Sequence, residues 1–415
     1  MYLARPLPVL LCIATARLLA ASADSTEGLR TAGFMDQANR GLAEIWNLDF
    51  DAATRSLTTL AGQYPGHPAP PLYQATVVLV RELDGRHELV LDRFVHPGYF
   101  MKQANRAMPA ASRQQFFEFI GKSQLLTERR LKSSPQDRDA QYLRGATEGL
   151  LALFAFTIDR SYLQAFKHGK QAYGLHNRLI EQDRQYYDAY MSVGLYDYVA
   201  NSLPWYLRWA AGITGFHADK QRAFQFLNSA VEKGRYVSDD ARLFRMAVSM
   251  REGRPPEALP DAAALLARYP RNAILHLTEA QILDRMGRRD EAADTYLQVV
   301  RFAEEGKPNY QRIDGAALRW QTGNMLLAMR PRTALDSYRV LLQNPATQER
   351  WRVLAMLQSG CALDLLGRRE EAIQQYKTVL SMNDYDNAHA HASEHLQSPY
   401  TVTPNSVSLP RLSSQ

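Results

Sequence analysis

Histidine and glutamate side chains occur at two places in the sequence with a spacing that is relevant to metal binding. His87 and Glu88 match the first half of the zinc-protease motif HExxH, but Leu91 stands where the second histidine would have to share the helix face. His391 and His395 lie four residues apart and could hold a metal ion from one face of a helix. Two imidazoles near the end of a helical array more often face solvent, so we predict no metal site.

Three polar residues of an aromatic stretch, Asp197, His217 and Asp219, are the remaining candidates for catalysis. Nothing in their spacing fixes a shared geometry, and buried hydrogen-bonded roles suit them better. The sequence contains no GxSxG elbow, no phosphate-binding glycine loop and no dinucleotide fingerprint. We therefore predict no cofactor and no catalytic residue, and an enzyme with a site in this middle region stays an alternative.

Two closely similar ten-residue stretches indicate which elements position the side chains. GRRDEAADTY spans Gly287 to Tyr296, and GRREEAIQQY spans Gly367 to Tyr376. In each, the glycine ends one helix, an acidic pair begins the next, and an alanine and a tyrosine four residues apart share one helix face. This arrangement predicts a helical hairpin, which must stack on other hairpins to bury its apolar face.

Further copies of the hairpin follow from aligning the turn glycine. Gly253 with Ala258 is one copy, and Gly253 lies 34 residues before Gly287. Gly323 with Ala334 is assigned to a slightly shorter copy. The chain between residues 239 and 384 therefore contains four units that match this hairpin pattern.

The turn glycine, the alanine five residues later, the aromatic residue four further on and the period of about 34 resemble the tetratricopeptide repeat (TPR). The stretch 34–65 resembles one more unit. Within 186–246, Leu203-Pro204 and the later Gly215-Phe216 resemble the tetratricopeptide-type inclusion-body clearance family, although a leader sequence departs from that family. The resemblance implies an all-α solenoid of stacked antiparallel helix hairpins, a TPR-like superhelix.

The first helices of a tetratricopeptide array line its concave face. Carried onto this sequence, the pattern places seven residues there: Arg251, Gln281, Asp284, Arg285, Trp320, Asn324 and Asp364. Leu277 and Trp320 stand where carboxylate-clamping arrays carry lysine, so that activity is not expected. We predict a non-catalytic scaffold that binds a protein or peptide partner in its groove, and a solvated face without a ligand is the alternative for these positions.

An aromatic stretch at 196–216 supports a different function. Its residues Trp205, Tyr206, Trp209 and Phe216 could form a surface that contacts a membrane interface or a partner, because such side chains suit half-wet surroundings. A peripheral membrane or envelope-associated protein is therefore the second hypothesis. Packing between irregular helices is the other interpretation of these aromatic residues.

The first 23 residues predict a secretory signal peptide. Arg5 precedes an apolar run, and Ala21-Ser22-Ala23 provides a cleavage site of small residues. We expect export across the inner membrane to a periplasmic, envelope-associated or secreted location, with an uncleaved anchor as the alternative. The formal charge of +6 is scattered, so no nucleic-acid partner is predicted.

The sequence thus divides into five predicted parts. They are a signal peptide (1–23), N-terminal hairpins (24–135) with one TPR-like unit at 34–65, a divergent aromatic-rich helical region (136–236), a TPR array (237–398) and a disordered tail (399–415).

Overall fold

A computed structural model describes residues 31–89, 107–202 and 220–402. Within these ranges the chain forms helices joined by turns and contains no strand, so the predicted all-α class is confirmed. The first ten helices are α1 (Ala32–Trp46), α2 (Phe50–Gln63), α3 (Ala69–Gly85), α4 (Ala110–Ser133), α5 (Arg138–Thr157), α6 (Tyr162–Gln182), α7 (Asp188–Ser202), α8 (Lys220–Lys233), α9 (Ser238–Arg251) and α10 (Pro255–Arg268). They are followed by α11 (Ala273–Arg285), α12 (Arg289–Glu304), α13 (Gly315–Leu326), α14 (Pro331–Gln343), α15 (Glu349–Leu365), α16 (Arg369–Leu380) and α17 (Ala388–Gln397).

The chain divides into two compact units, residues 1–278 and 279–415, and the division falls inside α11. Unit 1 contains α1 to α10 and the first part of α11. Unit 2 contains the rest of α11 and the helices that follow it.

Unit 1 is a stack of antiparallel hairpins. Helix α1 packs on α2, α3 on α4, α5 on α6, α7 on α8, and α9 on α10. The first helices also meet across hairpins, since α3 contacts both α1 and α5, and α7 contacts α9. The segments 90–106 and 203–219, within the second and fourth hairpins, lie outside the described residues.

Unit 2 repeats the same construction. Helix α13 packs on α14, α15 on α16, and α17 on α16. Contacts between α13 and α15, and between α15 and α17, make these helices one layer, with α14 and α16 in the other. The prediction of stacked antiparallel hairpins is therefore confirmed in each unit.

Three predicted turn glycines, Gly253, Gly287 and Gly367, do reverse the chain between two helices. Their φ angles are 73°, 76° and 74°, in the left-handed region that glycine occupies without steric cost. In each turn, the N–H after the glycine donates to the carbonyl five residues earlier, which closes the end of the first helix. The alanines five residues after the glycines, Ala258, Ala292 and Ala372, are fully buried.

The fourth assigned turn glycine, Gly323, was placed wrongly. It lies inside α13, where a Cβ atom would clash with the ring of Tyr338 on α14. The turn between these helices instead closes through hydrogen bonds from Met329 and Arg330 to the carbonyl of Leu326 and needs no glycine. Glycine thus has two roles in this repeat, one in the turn and one beneath a ring of the second helix.

The glycine beneath a ring recurs in both units. Gly360 of α15 faces Tyr376 of α16, and Gly145 of α5 faces the ring of His176 on α6. Gly149, four residues after Gly145, has no atom of another element within 4 Å of the place its Cβ would take. The close contact at this pair of glycines is therefore made by one side chain and not by a second helix backbone.

A long-range clasp joins the first hairpin of unit 1 to the turn before α11. The rings of Trp46 and Tyr269 stack with centroids 5.1 Å apart. The Asn272 amide donates to the Trp46 carbonyl at 2.6 Å, and the Arg271 main-chain N–H donates to Asn47 at 3.0 Å. The first hairpin is therefore fixed to the turn that follows the fifth.

Within the described residues, no helix combines the length and apolar character that a bilayer-spanning segment needs. The predicted signal peptide lies outside these residues, as does most of the predicted tail. Of the tail, Pro399–Val402 are described, and they pack on unit 2 through Tyr400.

Candidate partner-binding face

The candidate face in unit 2 is formed by α13 and α15, first helices of consecutive hairpins that contact each other. We call it the α13–α15 face and define it by Trp320, Gln321, Asn324, Trp351 and Asp364. The first three lie on α13 and the last two on α15. Adjacent first helices form a continuous surface in helical-repeat proteins, and such surfaces bind extended ligands.

Two tryptophans form the apolar part of this face. The rings of Trp320 and Trp351 have centroids 5.7 Å apart and are tilted by 44°, and both side chains are partly exposed. The Trp320 indole nitrogen is buried and has no hydrogen-bond acceptor among the described residues. Because an indole N–H removed from water costs free energy until it finds an acceptor, this group requires water or a ligand.

Polar side chains beside Trp320 add further hydrogen-bonding groups. The Gln321 side-chain oxygen is buried and has no donor within the described part of the chain. Asn324 accepts a hydrogen bond from the Tyr338 hydroxyl at 2.7 Å, which fixes the orientation of its amide. A donor and an acceptor that lack partners among the described residues therefore lie beneath the surface of this face, and these are the two groups that a peptide main chain complements.

Asp364, at the other end of the face, is fully engaged inside the protein. Its carboxylate lies 3.1 Å from the Arg369 guanidinium and accepts from the Tyr376 hydroxyl at 2.8 Å. It also accepts the Tyr400 main-chain N–H at 2.8 Å, and the Asp364 side chain is fully buried. Asp364 is therefore already paired with groups of the chain itself.

The predicted groove residues of α11 differ in their surroundings. Gln281 is partly exposed, and its buried side-chain oxygen has no donor among the described residues. Burial raises the pKa of Asp284, and the positive charges of Arg289 and Arg285 oppose this shift. Arg285 itself is exposed. The structure thus places these three residues in unit 2, together with Trp320, Asn324 and Asp364.

Arg251, the remaining predicted groove residue, belongs to unit 1. Burial lowers its pKa, and the negative charge of Glu252 acts in the opposite direction. Glu252 accepts from the Tyr198 hydroxyl at 2.6 Å and from Lys220 at 2.8 Å. Burial alone would raise the pKa of Glu252, but these hydrogen bonds hold it below its ordinary value. Arg251 thus borders an internal ionic network.

The starts of the first helices in unit 1 carry aspartates that bind tyrosines. Asp139 accepts from the Tyr186 hydroxyl at 2.7 Å, and Asp239 accepts from the Tyr269 hydroxyl at 2.5 Å. Burial raises the pKa of Tyr73, and the charge of Asp139 adds to this effect. A small cavity of about 20 Å³ beside Tyr73 and Asp139 has room for one water molecule. This cavity has no space for a peptide.

A wider polar concavity of about 760 Å³ lies where the turns before α5, α7 and α9 meet in unit 1. Its charges largely pair with one another, with Arg130 2.5 Å from Asp137 and Arg138 2.6 Å from Asp183. Because cations and carboxylates alternate around it, the concavity selects neither an anion nor a cation. It has the character of a solvated surface.

The structure leaves the other candidate residues without a shared site. Asp197 is fully buried and pairs with Arg222 at 2.7 Å, whereas His217 and Asp219 lie outside the described residues. The same is true of the predicted surface residues Trp205, Tyr206, Trp209 and Phe216. No group of three or more His, Cys, Asp or Glu side chains is arranged for a metal ion in the described ranges.

Of the residues that define the α13–α15 face, the sequence analysis named Trp320, Asn324 and Asp364 but not Trp351 and Gln321. Trp351 was missed because α15 begins at Glu349, eleven residues before Gly360, whereas α13 begins only eight residues before Gly323. A tryptophan at the start of a first helix was the available signal. Nothing in the repeat pattern distinguishes Gln321 from a solvated residue.

No protein-family model matches the chain, and no curated protein matches it. Among solved structures, the chain is similar to yeast Tom70, with 11% identity and a TM-score of 0.30 over 87% of this chain and 87% of that chain. It is also similar to the TPR domain of P58(IPK), with 12% identity and a TM-score of 0.22 over 88% of this chain and 98% of that chain. The description of the chain as an array of tetratricopeptide-like hairpins rests on its own turns, buried alanines and ring-facing glycines.

Proposed function

We propose that the protein is a non-catalytic scaffold that binds an extended segment of a partner protein on the α13–α15 face. The observation that carries this proposal is the buried Trp320 indole N–H, which has no acceptor among the described residues. A main-chain carbonyl of a bound segment would satisfy it once the side chains that cover the nitrogen move aside. A main-chain N–H could likewise donate to the buried Gln321 oxygen.

The tryptophan pair supports a polypeptide partner over a small polar ligand. Trp320 and Trp351 are partly exposed and in contact, so an apolar or aromatic side chain could pack against both. Tryptophan is enriched among the residues whose truncation costs an interface the most affinity. A segment that combines one apolar side chain with two main-chain hydrogen bonds fits this chemistry.

The proposal extends to location, where it rests on the leader sequence alone. Residues 1–23 have the charge, apolar run and small-residue site of an export signal. We propose that the scaffold acts outside the cytoplasm. Mass spectrometry of the mature amino terminus after cell fractionation tests this part, and an intact Met1 in the cytosolic fraction would contradict it.

Site-specific crosslinking in cells tests the binding face. A photoreactive amino acid at Asn324 should capture one defined polypeptide, whereas the same group at Val340, an exposed residue of α14, should not. Equal capture from both positions would refute binding at this face. Capture of lipid alone would support the peripheral-membrane alternative instead.

The captured partner then permits a direct measurement of the role of Trp320. Trp320→Phe keeps a ring but removes the N–H, so we expect the partner to bind about 5-fold more weakly, the value of one hydrogen bond. Trp320→Ala also removes the ring and should weaken binding by roughly 30-fold or more. Calorimetry with the purified segment measures both, and unchanged affinity in both variants would exclude Trp320 as a contact.

A further inference from the structure

The segment after α17 turns back onto α15 and α16 of unit 2. The Arg369 guanidinium donates to the Leu396 carbonyl at 2.9 Å, at the end of α17. Four residues later, the Tyr400 main-chain N–H donates to Asp364 at 2.8 Å. The chain between these points contains Pro399, which cannot continue a helix. The segment therefore leaves α17 and lies against the Asp364 end of the α13–α15 face.

The Tyr400 side chain lies close to the same face. Its ring packs edge-on against His395 with centroids 5.3 Å apart, and His395 in turn contacts the Tyr376 ring. The Tyr400 main-chain N–H donates to Asp364, which the repeat pattern assigns to the groove. Tyr400 thus lies beside a predicted groove residue.

The contact made by Tyr400 with Asp364 is one that any polypeptide could make. It uses a main-chain N–H, and the carboxylate accepts it without regard to the side chain. The Tyr400 ring is partly exposed, so it adds contact area without being locked in a core. An extended segment with one aromatic residue has the chemistry that we propose for the partner.

We propose that residues 398–402 are an internal ligand that occupies the Asp364 end of the α13–α15 face and competes with the partner for it. This inference rests on the proposed function, because it assigns the same face to the partner. Displacement of the segment frees the Asp364 carboxylate to accept a main-chain N–H of the partner.

The tether makes such competition effective even for a weak contact. A short flexible tether gives an effective concentration on the order of 1 mM, so a segment with a Kd of about 0.1 mM in free form would reduce the partner's apparent affinity by roughly 10-fold. Removal of the segment should therefore raise the partner's apparent affinity by roughly 10-fold.

A labelled synthetic peptide with the sequence of Leu396–Val402 tests the internal ligand directly. We expect it to bind a variant shortened after Gln397 with a Kd of about 0.1 mM and to bind the full chain at least 10-fold more weakly, as measured by fluorescence polarisation. Equal binding to both proteins, or binding to neither, overturns the proposal. Thermal unfolding shows that the shortened variant is folded before it is used.

A second peptide removes only the donor. N-methylation of the Tyr400 nitrogen deletes the N–H that donates to Asp364, and we expect at least 10-fold weaker binding to the shortened variant. Unchanged affinity would overturn the assignment of Asp364. This test alters the peptide and leaves the protein unchanged, so it cannot fail through misfolding.

A matched pair of full-length variants supplies the remaining control. Tyr400→Pro removes the donor N–H and should admit the free peptide, whereas Val402→Ala changes an exposed residue of the same segment and should not. If both variants exclude the peptide as the unaltered chain does, the segment is a cap of the last helices only.

The two proposals fail in distinguishable ways. Peptide binding to the shortened variant, without any partner captured from Asn324, keeps the internal ligand and refutes the scaffold function. A captured partner that binds the full chain and the shortened variant with equal affinity keeps the scaffold and refutes the internal ligand.

Discussion

The two units use the same hairpin but differ in how far their tryptophan side chains are buried. In unit 1, carboxylates at the starts of first helices accept from tyrosine hydroxyls, as Asp139 does from Tyr186, and the clasp at Trp46 ties the first hairpin to a distant turn. In unit 2, Trp320 and Trp351 contact each other and are partly exposed, whereas Trp46 is buried in the clasp. The repeat thus specifies the stack of hairpins, while a few side chains decide which part of the stack is available to a ligand.

The largest expected effect is on the clasp of unit 1. Trp46 is 2% exposed, so Trp46→Ala should lower the free energy of unfolding by about 3–5 kcal/mol. The matched change in unit 2, Trp351→Ala, removes a partly exposed ring and should cost only about 1–2 kcal/mol. Urea unfolding followed by circular dichroism measures both losses. Equal losses would refute the distinction between a structural and a ligand-facing tryptophan.

The next effect is a dependence of stability on pH, which we expect from the ring that faces a glycine in unit 1 and not from the corresponding rings in unit 2. His176 is buried opposite Gly145, where its Nε2 donates to the Tyr142 carbonyl at 2.9 Å and its Nδ1 contacts the Ser192 hydroxyl. Burial lowers the pKa of His176 to about 4, and the backbone hydrogen bond opposes this shift only in part. The corresponding rings in unit 2 are tyrosines, Tyr338 and Tyr376, which do not gain protons in acid.

The direction of the pH effect follows from these values. Because the folded protein binds fewer protons at His176 than the unfolded chain does, stability is lost as pH falls from about 6.5 to about 4, by about 3 kcal/mol in total. His176→Gln should remove this part of the pH dependence. Urea titrations of both proteins at pH 7, 5.5 and 4 measure the difference, and parallel curves would contradict the prediction.

A smaller effect tests whether the ring-facing glycine is common to both units. Gly145→Ala and Gly360→Ala each place a methyl group against the ring of the second helix and should cost about 1–3 kcal/mol. Differential scanning calorimetry measures the loss. A large cost in one unit and none in the other would show that the ring moves aside in the unit that shows no cost.

The smallest effect has the opposite sign. Gly149 lies in the same helix as Gly145 but has open space at its Cβ position, so Gly149→Ala should stabilise the protein by about 0.5–1 kcal/mol. The same calorimetric measurement applies. A destabilisation here would mean that α5 tolerates no added methyl group and would remove the contrast with Gly145→Ala.

The sequence was sufficient to predict the hairpins because their determinants are local. Gly253, Gly287 and Gly367 need positive φ, and the alanines that follow must fit between two helices, so type and spacing appear together in the chain. Gly323 was wrongly assigned to a turn because glycine is also required beneath the Tyr338 ring. Residue type alone does not distinguish these two requirements.

The clasp and the paired state of Asp364 could not be predicted for a different reason. Both depend on contacts between residues far apart in the chain, such as Arg271 with Asn47 and Tyr400 with Asp364. A repeat pattern specifies neighbours within and between hairpins. It contains no information on contacts between residues that are far apart in the chain. Trp320 was predictable as a groove residue, but the absence of an acceptor for its N–H required the structure.

The clasp of unit 1 also has a consequence for biosynthesis. Asn47 and Arg271 are 224 residues apart, so at a synthesis rate of roughly 5–20 residues per second the first hairpin waits about 10–45 s for its closing turn. During this interval Trp46 lacks the ring on which it stacks in the finished protein. The first hairpin is therefore the part of unit 1 that stays accessible to chaperones and proteases for the longest time after it emerges from the ribosome.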